Sequence, residues 1–555
     1  MRNGTARLFR AMLATSLSVS TLLYFVWSWH WPLVGDASLI HYMGWLIERG
    51  WAPYRQIGDM NMPGSYLLEL AAMHLFGMGD LAWRIYDFTL MAAAGAAFFV
   101  IARCVDASSS AASSRRVATD ASWLAGLLAA CLFVLIHGRD GLAEGGQRDL
   151  TMAICLVVAT AFVFVAIRRD AAWAAAAFGL FSGVALTIKP TALPLTVAQM
   201  IVAGYMLRSR GQKRETPHPR WLRPAIAFLA GYLVAPCIAL LFLIRERALL
   251  AFFANLHGLV LYYSGLGHKP PGFLLLHSVS PLLPLVLLWL AVLALRRQAM
   301  DWERGVLLCG AVFGLVSYLV QARGFPYYRY TLLIFLLPLM AMDFTQAAQT
   351  ELSNLWRNAA HTRRIKAAQW LALAALAFGG FFLAPQSAVL MHRYRWWETD
   401  FISSLQQNLD TLGGQRLSGH IQCIDSISGC GNVLYRMRLE PANGLLVDFP
   451  LFGEPGVPFV QQTRESFSAA MNASPPEVLV VSSALYVDGP GEYRKLDRWP
   501  TFGRFLAEDY TLQTEWSPSR TARWWSREET PASYRIYLLR ADRQVLRADR
   551  QTKLH

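Results

Sequence analysis

The chain has 555 residues, of which 55% are hydrophobic and 16% are charged. Soluble domains carry about 25% charged residues, so this composition excludes an ordinary soluble protein and predicts a polytopic membrane protein with a more polar tail. The formal net charge is +14. However, lysine and arginine lie between the apolar runs, as the positive-inside rule expects, so we predict no binding to nucleic acid.

Long apolar runs occupy most of the first 390 residues. A run of about 20 residues is long enough to cross a bilayer as a helix. Such runs fall near 8–27, 83–103, 121–137, 150–167, 172–188, 191–207, 224–244, 278–295, 305–320, 328–344 and 368–390. We therefore predict about eleven transmembrane helices. Lys189-Pro190 separates the fifth from the sixth, because a Lys-Pro pair in mid-membrane would be costly.

The N-terminus carries Arg2, Arg7 and Arg10 before the first apolar run. No small-residue cleavage site follows that run, so we interpret it as an uncleaved first helix and not as a signal peptide. With about eleven spans, the bias of lysine and arginine then favours a cytoplasmic N-terminus and an extracytoplasmic C-terminus. The predicted location is the inner (plasma) membrane.

The first predicted outer loop, about 28–82, contains two further apolar segments. Residues 37–49 predict a short amphipathic helix lying in the membrane interface, because several apolar side chains share one helical face. These side chains are Leu39, Met43, Leu46 and Ile47. Residues 66–76 predict a second helix of this kind.

Residues 391–555 are more polar and predict a small extracytoplasmic α/β domain after a transmembrane catalytic domain at 1–390. Strand-like runs lie at 444–449, 477–482 and 534–539, and helix-like stretches near 398–412 and 500–509. Cys423 and Cys430 lie close together in this tail. If the tail is exported into an oxidising compartment, we expect them to form a disulfide.

Three aspartates fall in segments predicted to face outward. Asp36 follows the first apolar run, Asp59 precedes a proline stretch, and Asp149 opens the fourth run. A carboxylate at the edge of a bilayer is costly to keep without a task. We therefore expect an acidic site on the outer side of the membrane.

Several short motifs follow one another in a characteristic order along the chain. They are Gly35-Asp36, the stretch 62–68 followed by 74–77, Arg84, Arg148-Asp149, the stretch 183–191 and the stretch 324–328. Their order and predicted topology resemble the GT-C glycosyltransferases that use polyprenyl-phosphate sugars, the protein O-mannosyltransferase and aminoarabinose-transferase-like group. The resemblance covers about residues 8–345 and implies a membrane-helical GT-C fold.

Transfer of a sugar to a hydroxyl or an amine needs a base for the acceptor proton and cations for the departing phosphate. Asp36 is the predicted base, with Asp149 and Asp59 as further candidates. Each has a structural alternative, since Asp36 and Asp149 can cap helices and Asp59 can form a turn. A divalent cation is a further candidate ligand because acids flank the site, although no metal-binding spacing supports one.

The candidate cations for the donor phosphate are Lys189, Arg323, Arg329 and Lys269, and their alternative is contact with lipid headgroups. Arg84 and Arg148 are expected to pair with the acids. Tyr327 and Tyr328 are supporting residues, with interfacial anchoring as their alternative.

The predicted function is therefore transfer of a sugar, with inversion, from a polyprenyl-phosphate donor to an extracytoplasmic glycan, lipid or protein acceptor. A membrane transporter or lipid flippase is the main alternative, because transporters also place charges among apolar helices. A membrane scaffold or sensor that acts through its C-terminal domain is the third hypothesis.

Overall fold

The computed structural model describes residues 2–109, 115–212, 221–296, 301–349, 359–392, 398–486, 489–518 and 532–541. Helices dominate its first 392 residues. In chain order they are α1 (Arg2–Ser28), α2 (Gly35–Glu48), α3 (Pro63–Phe76), α4 (Asp80–Ser109), α5 (Arg115–Asp140), α6 (Arg148–Arg169), α7 (Ala172–Ile188), α8 (Leu193–Gln212), α9 (Leu222–Arg245), α10 (Leu249–Asn255), α11 (Leu261–Ser264), α12 (Pro271–Ser278), α13 (Leu283–Arg296), α14 (Trp302–Gln321), α15 (Tyr330–Gln349), α16 (Ala359–Ala377) and α17 (Ala384–His392).

The remaining described residues mix helices and strands. The helices are α18 (Glu398–Leu412), α19 (Cys430–Met437), α20 (Pro458–Ala473) and α21 (Pro500–Asp509). The strands are β1 (Ile421–Ile424), β2 (Val478–Ser482), β3 (Ala484–Leu485), β4 (Gly489–Pro490), β5 (Tyr510–Trp516) and β6 (Tyr534–Leu539).

The membrane-helical fold is confirmed. Within the described ranges, 9 helices are long and apolar enough to cross a membrane, and the number rises to 10 if α12 and α13 form one span bent by 77°. α7, the predicted fifth span, has 17 residues and is shorter than these. Every predicted apolar run therefore corresponds to a helix or a helix pair. The orientation of the termini stays a prediction.

The chain divides into two compact units. The first comprises Met1–Trp31, Leu81–Ala239 and His268–Arg393, and the second comprises Pro32–Asp80, Leu240–Gly267 and Tyr394–His555. The second unit therefore takes in two segments of the range 1–390, in addition to the polar tail.

In the first unit, α15 is the most deeply buried span. In the structure, 89% of its most apolar window is buried, against 17% for α9. α14 approaches α15 closely because Gly314 has no side chain. A Cβ there would collide with the backbone of Leu332. Small residues allow such close helix contacts inside membranes.

Glycines also fix α7 against α9. A Cβ at Gly179 would meet the carbonyl of Phe228, and one at Gly183 would meet the carbonyl of Tyr232. From the other side, a Cβ at Gly231 would meet the carbonyl of Ala176. α7 therefore lies backbone to backbone against α9 between Ala176 and Gly183, and it ends at Ile188.

In the second unit, the tail forms a four-stranded sheet with the order β1-β2-β6-β5. β1 and β2 run parallel, whereas β6 pairs antiparallel with both β2 and β5. One face of the sheet is covered by an apolar cluster that includes Phe449, Phe452, Phe467, Trp499 and Phe502.

The predicted tail elements at 398–412, 477–482, 500–509 and 534–539 are confirmed as α18, β2, α21 and β6. The strand predicted at 444–449 is wrong. There the Gln422 side chain donates to the Leu445 carbonyl, and the backbone N–H groups of Asp448 and Phe449 donate to the Ser426 hydroxyl. Because side chains satisfy this backbone, it needs no partner strand.

The helix predicted at 37–49 exists as α2, but it does not lie with one apolar face in an interface. Ten of its 14 residues are buried, His41 among them. The His41 Nδ1 atom lies 2.6 Å from Oε2 of Glu69 in α3, and both side chains are almost fully buried. A polar pair of this kind belongs to a packed core, since burial requires such groups to find partners.

Candidate functional site

The main candidate site surrounds Lys189 in the first unit. The Lys189 Nζ donates to Asp149 Oδ1 and to Gln321 Oε1, each at 2.6 Å. The same nitrogen lies 4.3 Å from the ring centre of Tyr328, which is a cation–π contact. Arg323 donates to the Tyr328 hydroxyl at 3.4 Å. The structure thus brings together four sequence candidates that are far apart in the chain.

The ends of three helices position this cluster. α6 begins at Arg148, so Asp149 lies in its first turn, where the helix dipole favours a carboxylate. Lys189 lies in extended conformation between the end of α7 and a 3-10 turn opened by Pro190. Gln321 is the last residue of α14. The residue that interrupts the apolar run is therefore the one that reaches the acid.

The cluster contains several cationic side chains. Arg148 and Arg323 both act electrostatically on Lys189, as does the carboxylate of Asp149. The Lys189 side chain keeps 24% of its surface exposed, whereas that of Asp149 keeps 5%. A partly exposed lysine with two arginines near it can attract an anion, and guanidinium groups offer paired donors to phosphate oxygens.

Arg329 is held differently. One guanidinium nitrogen pairs with Asp140, and another donates to the backbone carbonyls of His277 and Ser280. Its side chain is only 3% exposed. These contacts anchor α15 to neighbouring chain segments, so Arg329 has internal partners instead of the lipid headgroups of its alternative. Its predicted phosphate contact stays a prediction.

Two other predicted residues lie near the cluster. Lys269 is exposed, and its backbone N–H donates to the Ala322 carbonyl at 2.6 Å, next to Arg323. Tyr327 is buried and packs edge-on against Tyr328, with ring centres 4.6 Å apart. Tyr327 therefore supports the ring that contacts Lys189.

Arg84 belongs to a buried network that the sequence analysis did not find. Its guanidinium lies 3.5 Å from Asp87, and neither side chain is exposed. Asp87 also accepts from the Tyr24 hydroxyl at 3.1 Å and from the backbone N–H of Gly146 at 2.8 Å, and it contacts His137. The available signal was a carboxylate inside the apolar run 83–103, which is rare without a partner.

Asp36 lies in the second unit, in the first turn of α2 and half-buried. Val34 is the N-cap, and it offers no side chain to the helix. Asp36 is therefore not a cap, and Asp149 is not one either, because Gln147 occupies that position in α6. The capping alternative therefore fails for both aspartates.

The segment before Asp36 is firmly held. The backbone N–H of Leu33 donates to Asp80 at 2.8 Å, and the Leu33 carbonyl accepts from Asn432 at 2.6 Å. Arg436 donates to the same Asp80 carboxylate at 2.8 Å. These contacts fix the chain three residues before the candidate base.

Asp59 is buried in a turn. Its carboxylate accepts from the backbone N–H of Asn61 at 3.1 Å and from the Tyr66 hydroxyl. The first contact joins an aspartate to the backbone two residues on, which is typical of an Asx turn. The structure therefore supports the turn alternative for Asp59, and a catalytic role stays a prediction.

The tail has a buried ion pair of its own. The Lys495 Nζ lies 2.5 Å from Asp448 Oδ2 and donates to the carbonyls of Ile424 and Ala484 at 2.9 and 3.0 Å. Burial raises the pKa of the Asp448 carboxyl, and the nearby Lys495 opposes that shift. Neither side chain is more than 1% exposed. Through these contacts the pair connects separate segments of the tail.

Cys423 and Cys430 form a disulfide, with Cα atoms 6.1 Å apart. The loop that they close is organised by Asp425, which accepts from the backbone N–H groups of Ser428 and Cys430 at 3.0 Å. Among the described residues, no three His, Cys, Asp or Glu side chains are grouped as metal ligands. We therefore assign no step to a divalent cation.

No protein-family model and no curated protein matches the sequence. Several solved structures are similar to it, and two of them are structures of one protein. "Crystal Structure of ArnT from Cupriavidus metallidurans bound to Undecaprenyl phosphate" has a TM-score of 0.55 and 14% identity, covering 97% of this chain and 98% of that chain. The apo structure of the same protein has a TM-score of 0.51 and 14% identity, covering 96% and 98%. The predicted resemblance to the aminoarabinose-transferase-like group is thus confirmed as an ArnT-like fold.

Proposed function

We propose that the protein is an integral membrane glycosyltransferase, which moves a sugar from a polyprenyl-phosphate carrier to an extracytoplasmic glycan, lipid or protein acceptor with inversion. The observation that carries the proposal is the Lys189 cluster, where a lysine and two arginines lie near one another at the ends of apolar helices. A lipid carrier presents its phosphate at the membrane surface, where such cations are useful. The likeness to an ArnT structure bound to undecaprenyl phosphate supports this donor class.

In the proposed reaction, Asp36 takes the proton from the acceptor hydroxyl or amine. The acceptor atom then forms a bond to the anomeric carbon from the side opposite the phosphate. The bond between that carbon and the phosphate oxygen breaks, and its electron pair leaves with the polyprenyl phosphate. A single displacement of this kind inverts the anomeric configuration.

The departing phosphate is assigned to Lys189 and Arg323, with Arg148 adding long-range attraction. A phosphate monoester carries about two negative charges near neutral pH. Arg148 and Arg323 act electrostatically on Lys189, and this group of cations suits a doubly charged phosphate. Cations that are fixed before the reaction stabilise the charge that develops on the leaving group.

Asp36→Asn is the decisive variant. The amide keeps the shape of the side chain but cannot accept a proton, and positioned bases contribute about 10²–10⁴-fold. We expect the release of polyprenyl phosphate from a labelled lipid-linked sugar to fall by this factor, with an almost unchanged Tm. Asp410→Asn, which changes an exposed carboxylate of α18, is the matched control. Near wild-type turnover in Asp36→Asn would remove Asp36 as the base.

A transporter or lipid flippase is the second candidate, and the bent pair α12–α13 favours it, because transporters use broken helices. Reconstituted wild-type protein separates the two functions. A transferase releases polyprenyl phosphate and transfers the label to an acceptor. A flippase moves the intact lipid-linked sugar across the bilayer and releases nothing.

The proposed topology has a cytoplasmic N-terminus and an extracytoplasmic tail, which the excess of basic residues in alternate connections supports. A reporter enzyme fused after Leu390 tests it. Activity characteristic of the extracytoplasmic side is expected. Cytoplasmic activity would contradict an extracytoplasmic acceptor.

A further inference from the structure

The proposed reaction assigns no role to the tail, although one tail helix packs against the helix that carries Asp36. These helices are α19 and α2, and both belong to the second unit. Gly431 of α19 lies so close to α2 that a Cβ there would be 3.2 Å from a methyl group of Leu39. The ring of Tyr435 packs edge-on against that of His41, with ring centres 5.8 Å apart. α19 therefore forms part of the surface against which α2 is held.

Two side chains of α19 also hold the segment that leads into α2. The Asn432 side chain donates to the Leu33 carbonyl at 2.6 Å, and Arg436 donates to the same carbonyl at 3.5 Å. Arg436 also donates at 2.8 Å to the carboxylate of Asp80, which accepts from the Leu33 N–H group at the same distance. Leu33 is only 1% exposed, so its backbone groups depend on these side chains for their hydrogen bonds.

The two donors on α19 hold each other in place. Asn432 and Arg436 are four residues apart, a spacing that brings side chains together on a helix. The Arg436 Nε atom donates to Asn432 Oδ1 at 2.9 Å. This bond turns the amide nitrogen of Asn432 towards Leu33, and it leaves an outer guanidinium nitrogen for Leu33 and Asp80. The pair therefore has one defined arrangement.

The link between the anchored Leu33 carbonyl and Asp36 consists of two residues, Val34 and Gly35. Val34 is 1% exposed and extended. Gly35 has a φ of 65°, a conformation that glycine adopts readily and most other residues do not. The Gly35 carbonyl accepts from the Ser38 hydroxyl at 2.7 Å. Because this link is short and ordered, a shift of the Leu33 carbonyl moves the Asp36 carboxylate with it.

α19 is itself tied to the sheet of the tail. It begins at Cys430, whose disulfide partner Cys423 lies in β1. The Cys430 backbone N–H donates at 3.0 Å to Asp425, the residue that follows β1. The sheet therefore sets the position of Asn432, which follows Cys430 by two residues.

We propose that Asn432 and Arg436 are positioning residues for Asp36, through which the tail sets the place of the candidate base. The inference rests on the proposed function, in which Asp36 takes the acceptor proton. In this role neither tail residue contacts the donor or the acceptor. A misplacement of about 1 Å can cost a reaction about 10²-fold in rate, so both residues should affect kcat and leave the binding of the lipid-linked donor unchanged.

Asn432→Asp is the first variant that tests the proposal. It keeps the oxygen that accepts from Arg436 but turns a second oxygen, instead of a donor, towards the Leu33 carbonyl. Arg436→Met is the second variant, and it removes the donors to Leu33 and Asp80 together. We expect each to lower kcat for the release of labelled polyprenyl phosphate by about 10–10²-fold, with KM for the donor changed less than about twofold. Arg416→Met, at an exposed position of the tail, is the matched control and should turn over like the wild type.

The same substitutions in the Asp36→Asn background separate positioning from a general loss of structure. If both residues act through Asp36, they should not lower the residual rate further, because residues that act as a unit are not additive. Rates are compared at a temperature where thermal unfolding shows each variant to be folded, and Asn432→Asp decides alone if Arg436→Met does not fold. The proposal is overturned by wild-type kcat in Asn432→Asp, or by an equal fold-loss in both backgrounds. Wild-type turnover in Asp36→Asn itself would instead overturn the proposed function, and the positioning inference with it.

Discussion

Two lysine–aspartate pairs of nearly equal length lie in the two units and have different surroundings. Lys189 contacts Asp149 at 2.6 Å, and the lysine side chain keeps 24% of its surface exposed. Lys495 contacts Asp448 at 2.5 Å, and neither side chain is more than 1% exposed. The ion-pair distance therefore does not separate a reactive site from a structural contact.

The other contacts of each lysine distinguish the two pairs. Lys495 is surrounded by a hydroxyl and backbone carbonyls, which are fixed parts of the fold. In the part of the chain that the structure describes, the Lys189 ammonium group contacts the side chains of Asp149, Gln321 and Tyr328. A lysine that is held by side chains can turn towards an incoming anion more easily than one that is held by backbone carbonyls. We therefore expect changes at the first pair to affect turnover and changes at the second to affect stability.

Lys495→Met should have the largest effect, a loss of about 3–5 kcal/mol in the free energy of unfolding of the tail, because it leaves Asp448 buried and unpaired. Limited proteolysis of the tail in increasing urea measures the loss. The Asp448→Leu/Lys495→Met double variant should be more stable than the single variant, since replacing both charges removes the unpaired one. If the single variant is as stable as the wild type, the pair is not structural.

Lys189→Met should reduce kcat about 10²–10³-fold, as expected on removing one donor that stabilises a developing negative charge. The Tm should fall less than in Lys495→Met, because the Lys189 side chain keeps 24% of its surface exposed. Release of labelled polyprenyl phosphate provides the rate. Lys366→Met, at an exposed position of α16, is the control. A large drop in Tm with normal turnover would place Lys189 in the same class as Lys495.

Loss of the disulfide should destabilise the tail by about 2–3 kcal/mol, from the chain entropy of a short loop. Cys423→Ser/Cys430→Ser is the variant. The Ser426 hydroxyl within that loop donates to Asp448, so we also expect weaker protection of the Lys495 pair from proteolysis. Thiol labelling of the unreduced wild type is a separate check, in which labelling of both cysteines would contradict the bond.

Gln321→Leu should have the smallest effect, about a tenfold loss of kcat, because a hydrogen bond to a charged group contributes about 1.5–3 kcal/mol. The leucine keeps the bulk of the side chain but cannot accept from Lys189. Gln321→Asn shortens the amide and should recover part of the rate. Equal turnover in the wild type and both variants would show that Gln321 does not position Lys189.

Much of the membrane unit could be predicted from the sequence, because each helix must be apolar over a length that the bilayer sets. Lys189 was predicted as a candidate since its charge interrupts such a run. Its contact with Gln321, 132 residues away, depends on the packing of α14 and has no local signal. Asp87 was missed because the mean hydropathy of a long apolar run hides a single acidic residue.

The tail was harder to predict. β2 and β6 are rich in β-branched and aromatic residues, and both were found. The segment 444–449 has a similar pattern but is held by Gln422 and Ser426. These partners lie more than 20 residues earlier in the chain. A strand pattern shows which residues can be buried, and the partners of the backbone decide whether they pair in a sheet.

The glycine contacts between α7 and α9 fix the position of α7 along its axis, and with it the position of Lys189. Gly183 cannot slide past Tyr232, and Lys189 follows Gly183 six residues later, at a rise of about 9 Å. Inserting or deleting one residue between them would turn the lysine by about 100° and shift it by about 1.5 Å. The ammonium group would then point away from Asp149. Among homologous chains that keep both residues, the interval between this glycine and this lysine should therefore be constant, even where the flanking loops vary in length.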